Sequence, residues 1–221
     1  MLSHLADYLE TATLVIEIGG GYGGLASLIK RVFPHIKYVL LDLPESSMIQ
    51  TYYLNKCFPA SKFLYTEDFG ATEICIDNLD FDFAIIPGQY IERLQSEHIG
   101  MAINTRSMME MSPVIIKYYF KHLHRLLKPG AFFYCLNRYE KISNLKDYPF
   151  DDKWGVSFSQ EWPIFIDECP HHELVLKRSE YSETSGVREL VAHFPPKYSF
   201  FRKLKRFIKY CLISLGILRG R

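Results

Sequence analysis

The sequence predicts an α/β fold built on one mostly parallel sheet that ends in an antiparallel hairpin. Three observations carry that expectation. Short apolar runs alternate with segments of helical periodicity, which is the pattern of a parallel sheet covered on both faces. The first run stops in a glycine-rich turn, Gly19-Gly20-Gly21-Tyr22-Gly23-Gly24. Near the end, two strand-like runs are joined by a linker too short for a helix, so they should pair as a hairpin.

In chain order, residues 14–18 form a short apolar run read as a buried strand. A helix follows over residues 24–32, with Leu25, Leu28, Ile29 and Val32 at helical spacing. Residues 38–41 form a second apolar run, closed by Asp42, and Pro44 suits the first turn of a helix reaching Cys57. Residues 63–66 are read as the third strand and residues 81–86 as the fourth, ended by Pro87-Gly88. A longer helix spans residues 113–127 and is stopped by Lys128-Pro129-Gly130. The fifth strand covers residues 131–136. Residues 164–167 and 173–177 form the hairpin, with His171 and His172 in its turn.

Composition narrows the class. The 221 residues suffice for one domain with a real core, and 48% hydrophobic with 23% charged residues is a soluble globular balance. The five cysteines are scattered without a C-x-x-C pair, which argues against a zinc module or disulfide framework and suits a reducing, cytoplasmic setting. No stretch has the length of a membrane span, and residues 1–10 lack a secretory pattern. Eight of the 26 basic residues lie between Lys197 and Arg221 with no acid among them, leaving the rest of the chain at a formal −7. An acidic body is not a nucleic-acid-binding footprint. The division expected is a domain over residues 1–196 and a basic amphipathic helix over 197–221. Its apolar positions Phe200, Leu204, Phe207, Ile208, Cys211, Leu212, Leu215 and Leu218 recur at three and four. Such a helix suits peripheral contact with an anionic membrane through residues 198–218, or docking onto the domain or a partner.

The glycine turn sits between a strand and a helix, where backbone can approach a ligand and present helix N–H groups to it. Taken alone, Gly19-x-Gly21-x-x-Gly24 with Asp42 also fits a dinucleotide fingerprint. Further features tilt the choice. Glu17 stands two residues before the first glycine, Asp42 ends the second strand, and Glu67-Asp68-Phe69 follows the third. Leu126-Leu127-Lys128-Pro129-Gly130-Ala131 leads into the fifth, with the hairpin beyond. Together these residues resemble the class I S-adenosylmethionine-dependent methyltransferases over about residues 12–180. The resemblance implies a Rossmann-like class I sheet and S-adenosylmethionine as cofactor. It implies a cofactor site made of Glu17 facing the ammonium, Gly19, Gly21, Gly23, Asp42 on the ribose, Leu43, Asp68, Phe69 and Pro87.

A narrower resemblance rests on Ile103-Asn104-Thr105-Arg106-Ser107-Met108-Met109-Glu110-Met111, with Leu41-Asp42-Leu43-Pro44, Asn137-Arg138-Tyr139 and Phe150-Asp151-Asp152-Lys153-Trp154. These strings are similar to a sugar O-methyltransferase family of bacterial polysaccharide gene clusters, which implies a sugar or glycan hydroxyl as acceptor. On that resemblance Asn104, Arg106 and Glu110 belong to the catalytic side. Arg106 and Glu110 are four apart and share a face if the segment is helical. Glu110 would then be the base or a hydroxyl acceptor and Arg106 its orienting partner, the alternative being an ordinary ion pair. Met108, Met109 and Met111 are read as core filler, Trp154 as packing more readily than a sugar platform, and the two histidines as a solvated turn. No spacing resembles a metal-ligand set, so a divalent metal stays open, as does the oligomeric state.

Overall fold

The computed structural model describes residues 2–68, 73–96, 98–161, 171–181 and 186–194. The chain starts with α1 (Leu2–Leu9), then β1 (Leu14–Ile18), α2 (Gly24–Val32), β2 (Lys37–Asp42), α3 (Pro44–Cys57) and β3 (Phe63–Leu64). It continues through β4 (Ile74–Cys75), β5 (Phe83–Pro87), β6 (Leu94–Gln95), β7 (Ile99–Thr105), α4 (Pro113–Leu126) and β8 (Leu127–Arg138). The last described elements are β9 (Trp154–Glu161), β10 (His171–Arg178) and α5 (Val187–Ala192).

Eight of these strands form one sheet in the order β3-β5-β2-β1-β7-β8-β10-β9, and β4 pairs with β6 apart from it. The pairs from β3 to β8 are parallel. The pairs that β10 makes with β8 and β9 are antiparallel. The expected sheet, mostly parallel with an antiparallel end, is the one observed, but the described partner of β10 is β9, a strand the sequence reading did not assign, and the expected hairpin strand over residues 164–167 lies outside the described residues.

Alternation along the strands divides the interior. Leu14, Ile16 and Ile18 of β1 join the core under α4 and α5, beside Ile116, Phe120 and Val187. Val15 joins the core under α1, α2 and α3, with Leu5, Leu9, Ile29 and Leu54. Glu17 alternates onto this second face.

Several expectations need correction. Residues 81–86 do give a strand, β5, but it lies between β2 and the short edge strand β3. The strand beside β1 on its other side is β7, which the sequence reading did not assign. Lys128-Pro129-Gly130 does not separate helix from strand. β8 begins at Leu127 and runs through it, and the pairing with β7 jumps from Ile99↔Leu127 to Met101↔Phe132. Gly130, at φ +87°, takes up the extra length as a bulge. The condition for Arg106 and Glu110 to share a helical face is not met, since only Met108–Glu110 make a short 3-10 turn. His171 and His172 open β10 and are buried, not solvated. Trp154 is fully buried at the start of β9, and Met108 and Met109 are core, as packing readings required. Residues 195–221, with the basic segment, lie outside the described residues.

Candidate active site

The parallel strands end along one edge, where an open α/β sheet places its ligand. At the end of β1 three glycines carry positive φ: Gly19 at 73°, Gly21 at 60° and Gly23 at 89°. A side chain there would be strained. Gly19 has a second reason to be glycine, because an added Cβ would collide with Oγ and Cβ of Ser107. The turn is fixed to the next strand as well. Gly19 N–H donates to the Leu41 carbonyl at 2.7 Å, and Gly21 N–H donates to Asp42 Oδ2 at 2.9 Å.

Asp42 is the hub of this corner. Its Oδ1 accepts from Leu43 N–H at 2.8 Å, and its Oδ2 also accepts from Gln50 Nε2 at 3.0 Å. A carboxylate offers about four lone-pair sites, so Asp42 keeps about one acceptor position, on Oδ1. Gln50, buried on α3, also donates to the Gly21 carbonyl at 3.0 Å, while its Oε1 is buried with no hydrogen-bond partner. Sequence reasoning missed Gln50. Its signal was a glutamine on the helix face that Ser47 and Leu54 bury. An open lone pair and an unpartnered amide oxygen fit a ligand that brings hydroxyl donors.

Glu17 lies under the glycine turn at 2% exposure and accepts the Tyr38 hydroxyl at 2.9 Å. A Cβ on Gly20 would sit 3.1 Å from its Oε2. Burial pushes the Glu17 carboxyl up to about 7, the Tyr38 hydrogen bond opposes the rise, and the Asp42 charge adds to it. The group is therefore poised between neutral and ionised near neutral pH. It stands beneath the loop, not on an open face.

Leu43 is exposed at the start of α3, and Pro87 pairs with Asp42 across β5 and β2. Gly88 follows, packed so that a Cβ would meet the Tyr119 hydroxyl. The expected cofactor residues Glu17, Gly19, Gly21, Gly23, Asp42, Leu43 and Pro87 are thus brought to one corner. Asp68 is not. It lies in the 3-10 turn after β3, a strand that β5 separates from β2, and its carboxylate accepts from Tyr65 N–H at 2.7 Å. Phe69 lies outside the described residues.

The acceptor-side residues gather at the ends of β7 and β8. Asn104 is fully buried and its hydrogen bonds are spent on the fold. Its Nδ2 donates to the Ile18 carbonyl (2.8 Å) and to Ser107 Oγ (2.5 Å). Its Oδ1 accepts from Met108 N–H (3.2 Å) and Asn137 Nδ2 (2.8 Å). Asn137 Oδ1 in turn accepts from Met109 N–H at 3.1 Å. Asn104 is a brace between β1, β7 and β8, not a group facing a substrate. Arg106 is exposed at the tip of this brace. Glu110 is also exposed, and its ion pair is with Lys141 rather than the expected partner Arg106.

His172 sits beyond, within 2.6 Å of the Tyr139 hydroxyl through Nδ1 and 2.8 Å of Ser159 Oγ through Nε2. Burial pushes it down to about 4, so it is neutral at physiological pH and both ring nitrogens are engaged. That arrangement suits a structural histidine. Among the described residues no group of three or more His, Cys, Asp or Glu could hold a metal ion. Among the described residues, too, no helix is long and apolar enough to cross a membrane.

An O-methyltransferase domain family matches residues 1–63, the segment from α1 to the start of β3. No curated protein matches the sequence. Among solved structures, the chain is similar to the PH0226 protein of Pyrococcus horikoshii OT3, at 12% identity and a TM-score of 0.54, over 80% of this chain and 88% of that one. It is similar at 12% identity and a TM-score of 0.53 to the magnesium protoporphyrin IX methyltransferase of Synechocystis PCC 6803, solved with bound S-adenosylmethionine, over 80% and 77% of the two chains. With mitomycin 7-O-methyltransferase the identity is 14% and the TM-score 0.49, and the match over 80% of this chain spans about half (54%) of that one. The fold is the Rossmann-like α/β fold found in methyltransferases.

Proposed function

We propose that the chain is an S-adenosylmethionine-dependent O-methyltransferase acting on a sugar hydroxyl. One observation carries the cofactor half: three left-handed glycines closed by the hydrogen bond from Gly21 N–H to Asp42, at the strand edge of a methyltransferase fold. The family match over residues 1–63 supports it, because that segment holds the glycine turn, Glu17, Asp42 and Gln50. The sugar half rests on the resemblance of residues 103–111 and its companion strings.

When bound, the cofactor supplies an electrophilic methyl on a sulfonium and leaves as the neutral thioether. The chain's own work is binding, alignment and proton removal. Asp42 Oδ1 and Gln50 Oε1 would accept the cofactor's ribose hydroxyls. Ionised Glu17 sets a negative charge beneath the loop that the cofactor's ammonium favours. The edge of β7 and β8 would hold the acceptor beside the cofactor turn. Alignment of this kind is worth up to about 7–11 kcal/mol in favourable cases. As the new C–O bond forms, the hydroxyl proton passes to a base, the role proposed for Glu110. Its ion pair with Lys141 fixes the direction of the carboxylate.

Calorimetry with S-adenosylmethionine tests the cofactor, and radiolabelled methyl transfer to bacterial glycans tests the acceptor. Saturable binding with transfer to carbohydrate is expected; binding of NADH instead would overturn the reading. Glu110→Gln should lower kcat by about 10²–10⁴-fold while the cofactor Kd stays within twofold. Near-normal kcat would remove Glu110 from the role of base. The basic segment 198–218 is proposed to bring the domain to an anionic membrane. Equal pelleting with anionic vesicles of the full chain and of a chain ending at Pro196 would sink that.

A further inference from the structure

Arg106 is the one non-glycine residue with positive φ among the described residues, at 61°. The left-handed region disfavours a side chain by roughly 1–2 kcal/mol. Such residues persist only where their surroundings over-determine them, and they cluster at functional sites. Here the surroundings are explicit. Arg106 N–H donates to the Leu136 carbonyl at 2.7 Å, tying the residue to β8. Just before it, Asn104 bonds β1 and Asn137. Just after it, Ser107 Oγ donates to the Ile18 carbonyl at 2.9 Å and presses against Gly19. Asn104 and Asn137 are both fully buried.

A glycine would meet the backbone demand at this position without strain. An exposed arginine stands there instead, and the buried brace around it serves to hold its backbone. Its place is defined by its neighbours. Ser107 touches the first glycine of the cofactor turn, and Asn137 ends β8, so Arg106 sits where the methyl-donor loop meets the acceptor side. A guanidinium is planar, permanently charged and forked, and it pairs two-pronged with carboxylate and phosphate. A neutral sugar can accept single hydrogen bonds from that fork but offers it neither a counter-charge nor a paired anionic acceptor.

Resting on the methyltransferase reading above, we infer that Arg106 binds the acceptor, and that the acceptor is an acidic sugar with a carboxylate or phosphate beside the hydroxyl to be methylated. Asn104, Asn137 and Ser107 are then positioning residues that hold the backbone of Arg106, and Gly19 is kept small to admit them.

The test loads the full chain with S-adenosylhomocysteine and titrates three probes: D-glucuronate, D-glucose 1-phosphate and uncharged methyl α-D-glucoside. At least one acidic probe should bind tenfold or more tightly than the glucoside, and which one does so separates carboxylate from phosphate. The preference should weaken with added salt. Arg106→Gly should abolish it, and Arg106→Lys should leave a reduced preference, since charge remains without the fork. Because Arg106→Gly also relieves the backbone, its melting temperature should be no lower than the parent's, which separates lost recognition from lost folding. Equal binding of neutral and acidic probes overturns the inference, as does an acidic preference that survives Arg106→Gly. So does an equal loss of S-adenosylhomocysteine affinity in that variant, which would put the guanidinium on the cofactor's carboxylate. Failure of S-adenosylhomocysteine to bind the parent chain sinks the methyltransferase reading and this inference together. Cofactor binding without acidic preference sinks this inference alone.

Discussion

At Glu17 a buried carboxyl is pushed up to about 7 by burial, against the Tyr38 hydrogen bond and with help from Asp42. Unfolded, the same group ionises near pH ~4.3. Between those two values the folded chain holds a proton that the unfolded chain has released, so stability falls as pH rises. The contribution of neutral Glu17 is full below about pH 4 and gone once the pH has passed through about 7. A rise of this size corresponds to about 3 kcal/mol. Glu17→Gln has nothing to ionise. In denaturant titrations of the ligand-free protein it should match the parent near pH 4 and exceed it by about 3 kcal/mol at pH 8. A difference that stays constant across that range would show that Glu17 titrates like an open carboxyl. Gly19 makes a steric prediction on the same scale. Gly19→Ala places a side chain at φ +73° and into Ser107. It should lower stability by about 2 kcal/mol or more and abolish cofactor binding. Ser107→Ala should not rescue it, because the Ser107 Cβ is itself in the way, whereas Ser107→Gly should recover part of the loss. Calorimetric binding and denaturant midpoints of the single and double variants decide this.

Among the elements, β7 does most to organise the site and was least visible in the sequence. Its residues, Ile99-Gly100-Met101-Ala102-Ile103-Asn104-Thr105, break the apolar run twice. Both breaks have tertiary causes. A Cβ on Gly100 would press on Ala12, ahead of β1, at 3.4 Å. Asn104 is polar because it ties three strands together. Neither contact can be read from local periodicity. By contrast β1, α2, β2 and α3 were legible because glycines, Asp42 and Pro44 punctuate them. The strand over residues 81–86 was legible as a strand, but its place between β2 and β3 was not, since order in a sheet depends on long-range pairing. That is why Asp68 was expected at the cofactor corner along with Pro87, whereas the structure puts only Pro87, with Gly88, beside Asp42. Asn104→Ala should measure the brace. It strips partners from Met108 N–H and Asn137 Nδ2, each worth about 1–3 kcal/mol when buried and unmet, so a loss of about 2–4 kcal/mol is expected. The Asn104→Ala/Asn137→Ala pair should lose less than the sum of the single variants, because one interaction is counted in both. Strict additivity in denaturant titrations would mean the two asparagines act independently.

Across the whole molecule, the sheet separates two cores of different make-up. One lies beneath α4 and α5, and the other beneath α1, α2 and α3. The candidate site uses neither core directly. It is assembled from the turns after β1, β2, β5, β7 and β8, whose mutual positions depend on a few hydrogen bonds such as Gly21 to Asp42 and Arg106 to Leu136. A ligand that contacts several of these turns at once joins segments that the cores alone leave to those bonds. It binds the folded chain and not the unfolded one, so its effect follows mass action. At a hundredfold excess over Kd the gain is about 2.7 kcal/mol. In a domain of this size each kcal/mol raises Tm by about 2–4 °C, so a rise of about 5–11 °C is expected with S-adenosylhomocysteine. The rise should be lost in Gly19→Ala and kept in Arg106→Gly, because the first variant closes the cofactor turn and the second leaves it intact. NADH at the same concentration should leave Tm unchanged. A shift with NADH and none with S-adenosylhomocysteine would turn the glycine corner back into a dinucleotide site, and thermal melts of the three proteins with each ligand distinguish the two outcomes.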